Sequence, residues 1–320
     1  MNVTWPGAQP VSGSSNRYSI HYLGQYPIAE MQCWDHHPAR PWHPHPTAAQ
    51  KQGRFFCEPM PLEASADNLL LTAMAARAMG NDTATAIAYW PTMRELAQYV
   101  KENGRDPVLQ LYTDDYLGPS ANNSNLAAKA IISLAAYAQL CEMVPDSLCN
   151  ATEAEEYDAT ARAYATYWLV RTSGGRGGAT KRTYNDPPGV SFSAKTNLLW
   201  DALLGTKLFP LPALMEKECA TYLATAAPSG WLLDERGLRT NKTNIETELS
   251  ASLCSPAASA DLYRRTVRML AVAEGGWAFA DTYDATTGAR LGGEGRSQVG
   301  GVFGRLAIAR MNPRWRERDY

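Results

Sequence analysis

The chain has 320 residues, with 30 Lys plus Arg against 32 Asp plus Glu and a formal net charge of −2. A balance so close to neutrality excludes the basic footprint of a nucleic-acid-binding protein, and the sequence has no run of 18 or more apolar residues that would predict a membrane span. The hydrophobic share of 45% is ordinary for a globular protein. We therefore expect a folded protein that binds a small molecule and has neither nucleic acid nor membrane as a partner.

Residues 1–60 are rich in Pro and His, and we predict that they form a loop-rich N-terminal segment of the same domain as residues 61–320. From residue 61 onward, apolar residues at helical spacing alternate with turn signals. Strand-like alternation is confined to 108–112 and 231–233. The predicted helices are 63–79, 85–102 with a break at Trp90-Pro91, 121–143, 151–171, 194–204, 211–226, 245–253, 258–273 and 298–311.

These helices predict an all-α fold, because loops that alternate between short and long are typical of helices paired as hairpins. We expect an α/α toroid of helical hairpins of the six-hairpin type. About nine helices fall short of the twelve that six hairpins need, which predicts an incomplete ring. The Gly-rich stretch 171–182 is expected to be disordered.

Cysteines and glycosylation sequons favour an oxidising compartment. The six cysteines are even in number, and Cys141 and Cys149 bracket the turn-prone sequence MVPDSL, where a short disulfide-closed loop is expected. An excess of Asn-x-Ser/Thr sequons predicts a secreted glycoprotein of the extracellular space or secretory pathway. The N-terminus nevertheless encodes no signal peptide, so the alternative is an intracellular protein with accidental sequons. The sequons begin at Asn2, Asn81, Asn122, Asn150 and Asn241.

The most informative stretch is LYTDDYLGPSANNSNLAAKAIISL, residues 111–134. Asp114 and Asp115 precede a turn at Gly118-Pro119 and an Ala-rich helix. Catalytic side chains are often carried on loops held by a rigid frame. The alternative is that one carboxylate caps the turn and the other is solvated.

Further blocks follow in order along the chain: HYLGQYP at 21–27, EPMPLEASADNLLL at 58–71, KTNLLWDALLGTKLFP at 195–210, FADTYDATTGAR at 279–290 and GRSQVGGVFGRLA at 295–307. Together with the Asp-Asp stretch, these blocks resemble the fungal and bacterial glutaminase A family. The resemblance implies hydrolysis of L-glutamine to L-glutamate and ammonia. It also implies an N-terminal β-rich domain that is missing from this chain, with Met1 as an internal start.

Amide hydrolysis needs an activated water, an acid for the leaving ammonia and donors for the tetrahedral oxygen. Asp114 is the first candidate for the general acid or base, with Asp115 either paired to it or anchoring the turn. Glu63 is the third catalytic candidate. Its position near a predicted helix start is also explained by the helix dipole alone.

Five further residues are predicted to bind substrate. Arg296, among glycines, could receive a carboxylate in bidentate fashion, and Glu246 could hold an ammonium group. Asp201 lies in an apolar helix, where a buried acid needs a partner; an ion pair with Lys195 or an arginine is the alternative. Asn125 and Asn197 stand at helix starts, where capping competes with oxyanion donation.

No metal ion or cofactor is predicted. All five histidines, His21, His36, His37, His43 and His45, lie in a Pro-rich segment. Imidazole suits zinc or copper, but no cysteine or carboxylate stands at a recognised ligand spacing.

The sequence departs from the family pattern where Asn244 replaces the usual Asp, which removes a charge and a proton acceptor. Two alternatives therefore stay open. One is a glycoside hydrolase, since helical toroids also carry that chemistry on two carboxylates. The other is a catalytically degenerate fragment that binds a ligand.

Overall fold

The computed structural model describes residues 9–10, 17–18, 60–110, 112, 120–189, 194–227, 230–231, 240–241, 251–272, 282–284, 287 and 290–292. The chain forms two compact units, Met1–Trp168 and Leu169–Tyr320, and each is described by itself. The predicted helices 245–253 and 298–311 lie outside the described residues, apart from 251–253. The predicted domain boundary at residue 60 stays a prediction.

Eight α-helices dominate the described residues. They are Pro61–Ala78 (α1), Ala84–Ala88 (α2), Trp90–Asn103 (α3), Ser124–Met143 (α4), Ala151–Thr172 (α5), Leu198–Leu204 (α6), Leu211–Thr225 (α7) and Pro256–Val272 (α8). A short 3₁₀ helix covers Arg176–Gly178.

The strands are only two or three residues long: Gln9–Pro10 (β1), Arg17–Tyr18 (β2), Ala226–Ala227 (β3), Gly230–Trp231 (β4), Thr240–Asn241 (β5), Thr282–Asp284 (β6) and Arg290–Gly292 (β7). All pairings are antiparallel: β1 with β2, β3 with β4, and β5-β6-β7 in that order. An isolated antiparallel bridge joins Gln110, which lies in the 108–112 strand candidate, to Ser120. These pieces leave the fold class all-α, as predicted.

Helix α1 begins at Pro61 rather than at Glu63, because proline is well suited to the first helical position, where an N–H would have no partner. It ends in a Schellman motif: the Asn81 amide donates to the Ala76 carbonyl at 2.8 Å and the Gly80 amide to that of Arg77 at 3.2 Å. Gly80 has φ = 73°, in the left-handed region that glycine adopts without strain. The predicted helix end at Gly80-Asn81 is confirmed.

The predicted break at Trp90-Pro91 is also confirmed, since α2 ends at Ala88 and α3 begins at Trp90. Trp90 is buried and stacks on Tyr137 of α4, with ring centroids 5.3 Å apart. Tyr137 in turn meets the edge of Tyr157 of α5 at 4.7 Å. This aromatic row forms part of the core of the first unit, in which α1 packs on α3 and α4.

The turn between α4 and α5 is closed by the predicted disulfide Cys141–Cys149. Two side chains of α3 also hold this turn. The Trp90 indole N–H donates to the Leu148 carbonyl at 2.8 Å, and the Arg94 guanidinium donates to the same oxygen. The turn is therefore held both by the disulfide and by hydrogen bonds from α3.

Helix α4 is the central helix of the first unit. Among the described helices it is the one that is long and apolar enough to cross a bilayer, with a mean hydropathy of 1.3 over 18 residues. However, 83% of these 18 residues are buried inside the fold. Burial to this extent is what the core helix of a folded domain shows.

In the second unit, the prediction of disorder for 171–182 is wrong. The Thr180 amide and hydroxyl both donate to the Glu218 carboxylate at 2.6 Å, and Glu218 of α7 is fully buried. The Lys181 amide donates to the Thr172 carbonyl at 2.8 Å. A buried carboxylate on a helix thus orders a stretch whose glycine content alone predicts flexibility.

A second disulfide, Cys219–Cys254, connects α7 to the residues just before α8.

Candidate functional site

Four of the predicted site residues, Asp114, Asp115, Glu246 and Arg296, lie outside the described residues, and their roles stay predictions. The structure does describe Glu63, Asn125, Asn197 and Asp201, together with both ends of the 111–119 segment that carries the Asp pair.

Glu63 lies in the first turn of α1 and is only 4% exposed. The Lys129 ammonium of α4 contacts its Oε1 at 2.6 Å and Asp67 Oδ1 at 2.8 Å. Asp67 lies one turn further along α1, so one cation bridges two carboxylates across the α1–α4 contact. The helix dipole explains a carboxylate at this position, but the structure adds an ion pair that spans 66 residues of sequence.

The environment of Lys129 keeps its ammonium charged. Burial lowers the pKa of this group, but the charges of Asp67 and Glu63 and their hydrogen bonds raise the pKa above the usual lysine value. A charge taken out of water needs such compensation. With both carboxylates ionised, the cluster of Glu63, Asp67 and Lys129 carries one net negative charge.

Gln110 joins the base of the 111–119 segment to the start of α1. Its side-chain carbonyl accepts the Leu62 amide at 3.0 Å, next to Glu63 in the chain. Its backbone carbonyl accepts the Ser120 amide at 3.3 Å, and the Asn122 amide donates to Pro107 at 2.6 Å. The two ends of the segment therefore meet beside the first turn of α1.

The cap of α4 is Asn123, whose Oδ1 accepts the Leu126 amide at 2.8 Å. The predicted capping by Asn125 is wrong, because the helix begins at Ser124 and Asn125 lies buried in its first turn. Capping by Asn197 is also wrong: it precedes α6 in helical conformation, and its side chain makes no cap hydrogen bond.

Two buried side-chain amides have donors without acceptors. Gln110 is 4% exposed and Asn123 fully buried, and within the described part of the chain neither Gln110 Nε2 nor Asn123 Nδ2 has a hydrogen-bond partner. A buried donor left unpaired costs about 1–3 kcal/mol, so such atoms are uncommon in folded proteins and need an explanation. Sequence reasoning missed Gln110, Asn123 and Lys129, although NNSN before an apolar helix is a capping signal.

Asp201 is buried, but the ion pair proposed for it with Lys195 or an arginine is absent among the described residues. Its Oδ1 accepts the Leu208 amide at 2.9 Å and the Thr206 hydroxyl, and its Oδ2 accepts the Phe209 amide at 3.3 Å. These donors all come from the loop that follows α6, so the carboxylate organises the connection to α7. Substrate binding by Asp201 stays a prediction.

A cleft of about 780 Å³ lies in the second unit beside the Cys219–Cys254 disulfide. It is mainly apolar, with a few charged groups at its wall, which is the usual character of a small-molecule cleft. Its lining includes Asp201, Lys207, Phe209, Met215, Glu216 and Leu253.

Potential metal ligands come together at Cys141, Cys149 and Glu153. Both sulfurs belong to a disulfide, whereas metals bind the thiolate. Glu153 is held by Arg94 at 3.0 and 2.9 Å and by the Tyr137 hydroxyl at 2.7 Å. The donor set of this cluster therefore does not fit a metal ion. The five histidines lie outside the described residues.

Helices joined through short turns, with acidic side chains buried in the first turns of α1 and α6, define an all-α hairpin protein. Comparison with known proteins makes the class specific. The chain belongs to the glutaminase A six helical-hairpin domain family, whose sequence model matches residues 9–306. The predicted α/α toroid of the six-hairpin type and the resemblance to glutaminase A are thereby confirmed.

Glutaminase A of Aspergillus oryzae (strain ATCC 42149 / RIB 40) is 24% identical over 297 residues, which cover 91% of this chain and 40% of the relative. The chain thus spans about 40% of the length of this curated relative. The match supports a hydrolase-like, glutaminase-like relationship.

Proposed function

We propose that the chain is a glutaminase A-like amidohydrolase that converts L-glutamine and water to L-glutamate and ammonia. The observation that carries the proposal is the buried, ion-paired Glu63 at the start of α1, adjacent to the base of the segment that carries Asp114 and Asp115. Family membership and the name of the Aspergillus relative support the same chemistry.

Chain connectivity supports a shared site for these acids. Asp114 and Asp115 follow Gln110 by four and five residues, so the covalent chain limits their Cα atoms to about 14 and 18 Å from that of Gln110. Gln110 is itself hydrogen-bonded to the residue before Glu63. On this basis we propose that the acids of α1 and of the 111–119 segment serve one site.

The surroundings of Glu63 favour one division of roles. The Lys129 ammonium 2.6 Å away stabilises Glu63 as a carboxylate, which suits a base or an electrostatic partner rather than a proton donor. The acid that protonates the leaving ammonia is then Asp114, with Asp115 setting its proton affinity as a neighbouring like charge.

In the proposed reaction, a carboxylate takes a proton from water as the water oxygen attacks the side-chain carbonyl carbon. The carbonyl oxygen gains the negative charge of the tetrahedral intermediate. Collapse of that intermediate breaks the carbon–nitrogen bond while Asp114 supplies the proton that releases ammonia. Arg296 and Glu246 are proposed to hold the substrate carboxylate and ammonium, and Asp201, Asn125 and Asn197 stay candidates for binding.

Ammonia release from L-glutamine tests the proposal. We expect turnover by the purified chain and a loss of about 10²- to 10⁴-fold in Asp114→Asn, because one positioned acid or base contributes that much. Asp146→Asn is the matched control, since Asp146 is an exposed residue of the α4–α5 turn. Equal rates in the wild type and Asp114→Asn would remove Asp114 from the mechanism.

The same assay separates the alternatives. Release of reducing sugar from oligosaccharides without ammonia from glutamine would identify a glycoside hydrolase. No turnover of either substrate, with a ligand-dependent rise in melting temperature, would identify a binding fragment.

We also propose that the protein is a glycoprotein of the secretory pathway or the extracellular space. Two disulfides favour an oxidising compartment, and the sequon residues Asn81 and Asn150 are exposed. Intact mass of natively expressed protein, before and after enzymatic removal of N-glycans, tests this proposal. An unchanged mass would contradict it.

A further inference from the structure

The cleft beside the Cys219–Cys254 disulfide has walls that are joined by a covalent bond. Its volume of about 780 Å³ lies within the range of small-molecule sites. Cys219 on α7 and Cys254 just before α8 both line the cleft, so the disulfide connects two of its walls. A site that is already formed has a smaller entropic cost of binding than one that the ligand must order.

The interior of the cleft is apolar. Phe209 and Met215 are buried in its wall, and Leu223 and Leu253 line it with half-buried side chains. Such a surface binds a ligand by removing apolar area from water. The occupant that this lining fits therefore has an apolar body.

Lys207 is the one cation among the described residues that line the cleft. Its φ of 54° lies in the left-handed region, which is uncommon for residues other than glycine. Both chain neighbours of Lys207 are held by Asp201 Oδ1, which accepts the Thr206 hydroxyl and, at 2.9 Å, the Leu208 amide. The backbone from which the lysine side chain extends is therefore fixed beside the cleft.

The charges around the cleft favour an anionic group. The Asp201 carboxylate is already stabilised by hydrogen bonds from its loop donors. Lys207 and Glu216 are exposed, and among the described residues no ion pair of the second unit includes either of them. The first turns of α7 and α8 also line the cleft, and helix N-termini carry partial positive charge. The ammonium and the two helix ends together outweigh the carboxylate of Glu216.

We propose that this cleft binds a monomeric carboxylic acid with an apolar chain, a medium-chain fatty acid in chemical terms, whose carboxylate contacts the Lys207 ammonium. The apolar chain lies against the α7 wall, and the charged end stays at the exposed edge of the cleft, where Lys207 lies. The inference goes beyond the proposed amide hydrolysis, in which neither Lys207 nor the apolar wall takes part.

Three probes with the same chain and different head groups test the charge preference. Isothermal titration calorimetry with decanoate, 1-decanol and decylamine, each below the concentration at which it aggregates, is expected to give the tightest binding for decanoate and the weakest for decylamine. In Lys207→Gln, decanoate should bind about 1.5- to 5-fold more weakly, the equivalent of one exposed ion pair, and decanol should bind as before. Lys217→Gln is the matched control, because Lys217 is an exposed cation of α7 outside the described lining.

Removal of the opposing charge should act in the other direction. Glu216→Gln is expected to tighten decanoate binding by a similar factor, because the repulsion between two carboxylates is lost. Decylamine that binds as tightly as decanoate, or an unchanged decanoate affinity in Lys207→Gln, would overturn the proposal.

A matched pair of substitutions on α7 tests the location of the site. Ala220 is exposed and lines the cleft, whereas Ala224, one turn further along α7, is exposed and outside the described lining. Ala220→Trp should weaken decanoate and decanol alike by about tenfold or more, because the indole covers apolar surface that the chain would bury. Ala224→Trp should leave both affinities unchanged. Melting temperatures show whether each variant is folded, and equal decanoate affinities in two folded variants would overturn the proposal.

The outcomes for the cleft and for the proposed function are independent, because the titrations need no glutamine. Decanoate binding with the expected Lys207 dependence in a chain that releases no ammonia would refute the hydrolase and support the cleft site. Ammonia release from glutamine by a chain that does not bind decanoate would overturn the cleft site alone.

Discussion

Buried carboxylates are held in different ways in the two units of the chain. In the first unit, Glu63 forms an ion pair with the Lys129 ammonium, which also contacts Asp67. In the second unit, Glu218 is held by the amide and hydroxyl of Thr180, and Asp201 is likewise held by neutral donors of a loop. No described partner of these two acids is a cation.

The buried acids thus have two roles. Glu218 and Asp201 fix the backbone of nearby loops, whereas Glu63 is part of a charged cluster. A carboxylate that accepts from neutral N–H and O–H donors of a loop fixes the conformation of that loop. Glu218 does so for the Gly-rich stretch by accepting from Thr180. A lysine that bridges two carboxylates keeps charge inside the protein at a desolvation cost, which is a common property of functional sites. This contrast is why Glu63, rather than Asp201 or Glu218, carries the proposed chemistry.

Breaking the charged cluster is expected to have the largest effect. Lys129→Met leaves Glu63 buried without its cation, so the free energy of unfolding should fall by about 3–5 kcal/mol, measured by urea denaturation. The control is Lys101→Met, which removes a more exposed ion pair with Glu156 and should cost less than about 1 kcal/mol. Equal losses in both variants would show that the cluster has no special energetic role.

The disulfides provide a second comparison between the units. Cys219 and Cys254 are 35 residues apart and Cys141 and Cys149 only 8. The chain-entropy relation predicts that replacing both cysteines by alanine costs about 4 kcal/mol for the longer loop and about 2.5 kcal/mol for the shorter. Thermal and urea unfolding of the two double variants measure the difference. The reverse order would mean that native packing, rather than loop length, decides the cost.

The neutral arrangement should tolerate loss of charge better. Glu218→Gln keeps an oxygen that can accept from Thr180 and leaves no cation behind, so we expect a cost of about 1 kcal/mol. Glu63→Gln, measured under the same conditions, should cost several times more because Lys129 then loses one of its two carboxylates. Similar values for the two substitutions would erase the proposed distinction.

The smallest expected effect is on pH dependence. Burial raises the pKa of Glu153, but the hydrogen bonds from Arg94 and Tyr137 and the charge of Arg94 bring the pKa below the usual value of 4.5. A lowered folded-state pKa contributes stability at neutral pH that is lost as the pH falls below that value and through the folded pKa. Glu153→Gln should therefore show a shallower loss of melting temperature between neutral and acidic pH. A slope identical to that of the wild type would contradict this contribution.

Local features of the fold could be predicted from the sequence. The break before Pro91, the helix end at Gly80-Asn81 and the Cys141–Cys149 loop depend on residues close together in the chain, where conformational preference and loop closure decide. The order of the six blocks was enough to indicate the family, because they extend over most of the chain.

Features that depend on distant residues could not be predicted. Lys129 lies 66 residues from Glu63, and Thr180 lies 38 residues from Glu218, so no local pattern pairs them. The glycine content of residues 171–182 predicts flexibility, and the sequence does not show that the Glu218 carboxylate orders this stretch. For Asp201 the sequence indicates substrate binding with an ion pair as the alternative, and no sequence pattern identifies the loop donors that hold its carboxylate. The cap of α4 was placed at Asn125 instead of Asn123, since three asparagines compete within four residues.

The Leu148 carbonyl has a consequence for the redox chemistry of the first unit. Because the indole of Trp90 and the guanidinium of Arg94 both hold this oxygen, the connection between α4 and α5 keeps its shape without a sulfur–sulfur bond. Under reducing conditions, Cys141 and Cys149 would remain side by side as thiols, ready to be reoxidised without a search for the correct partner. The protein could therefore fold before this bond forms, and oxidation would then lock a turn that is already in place.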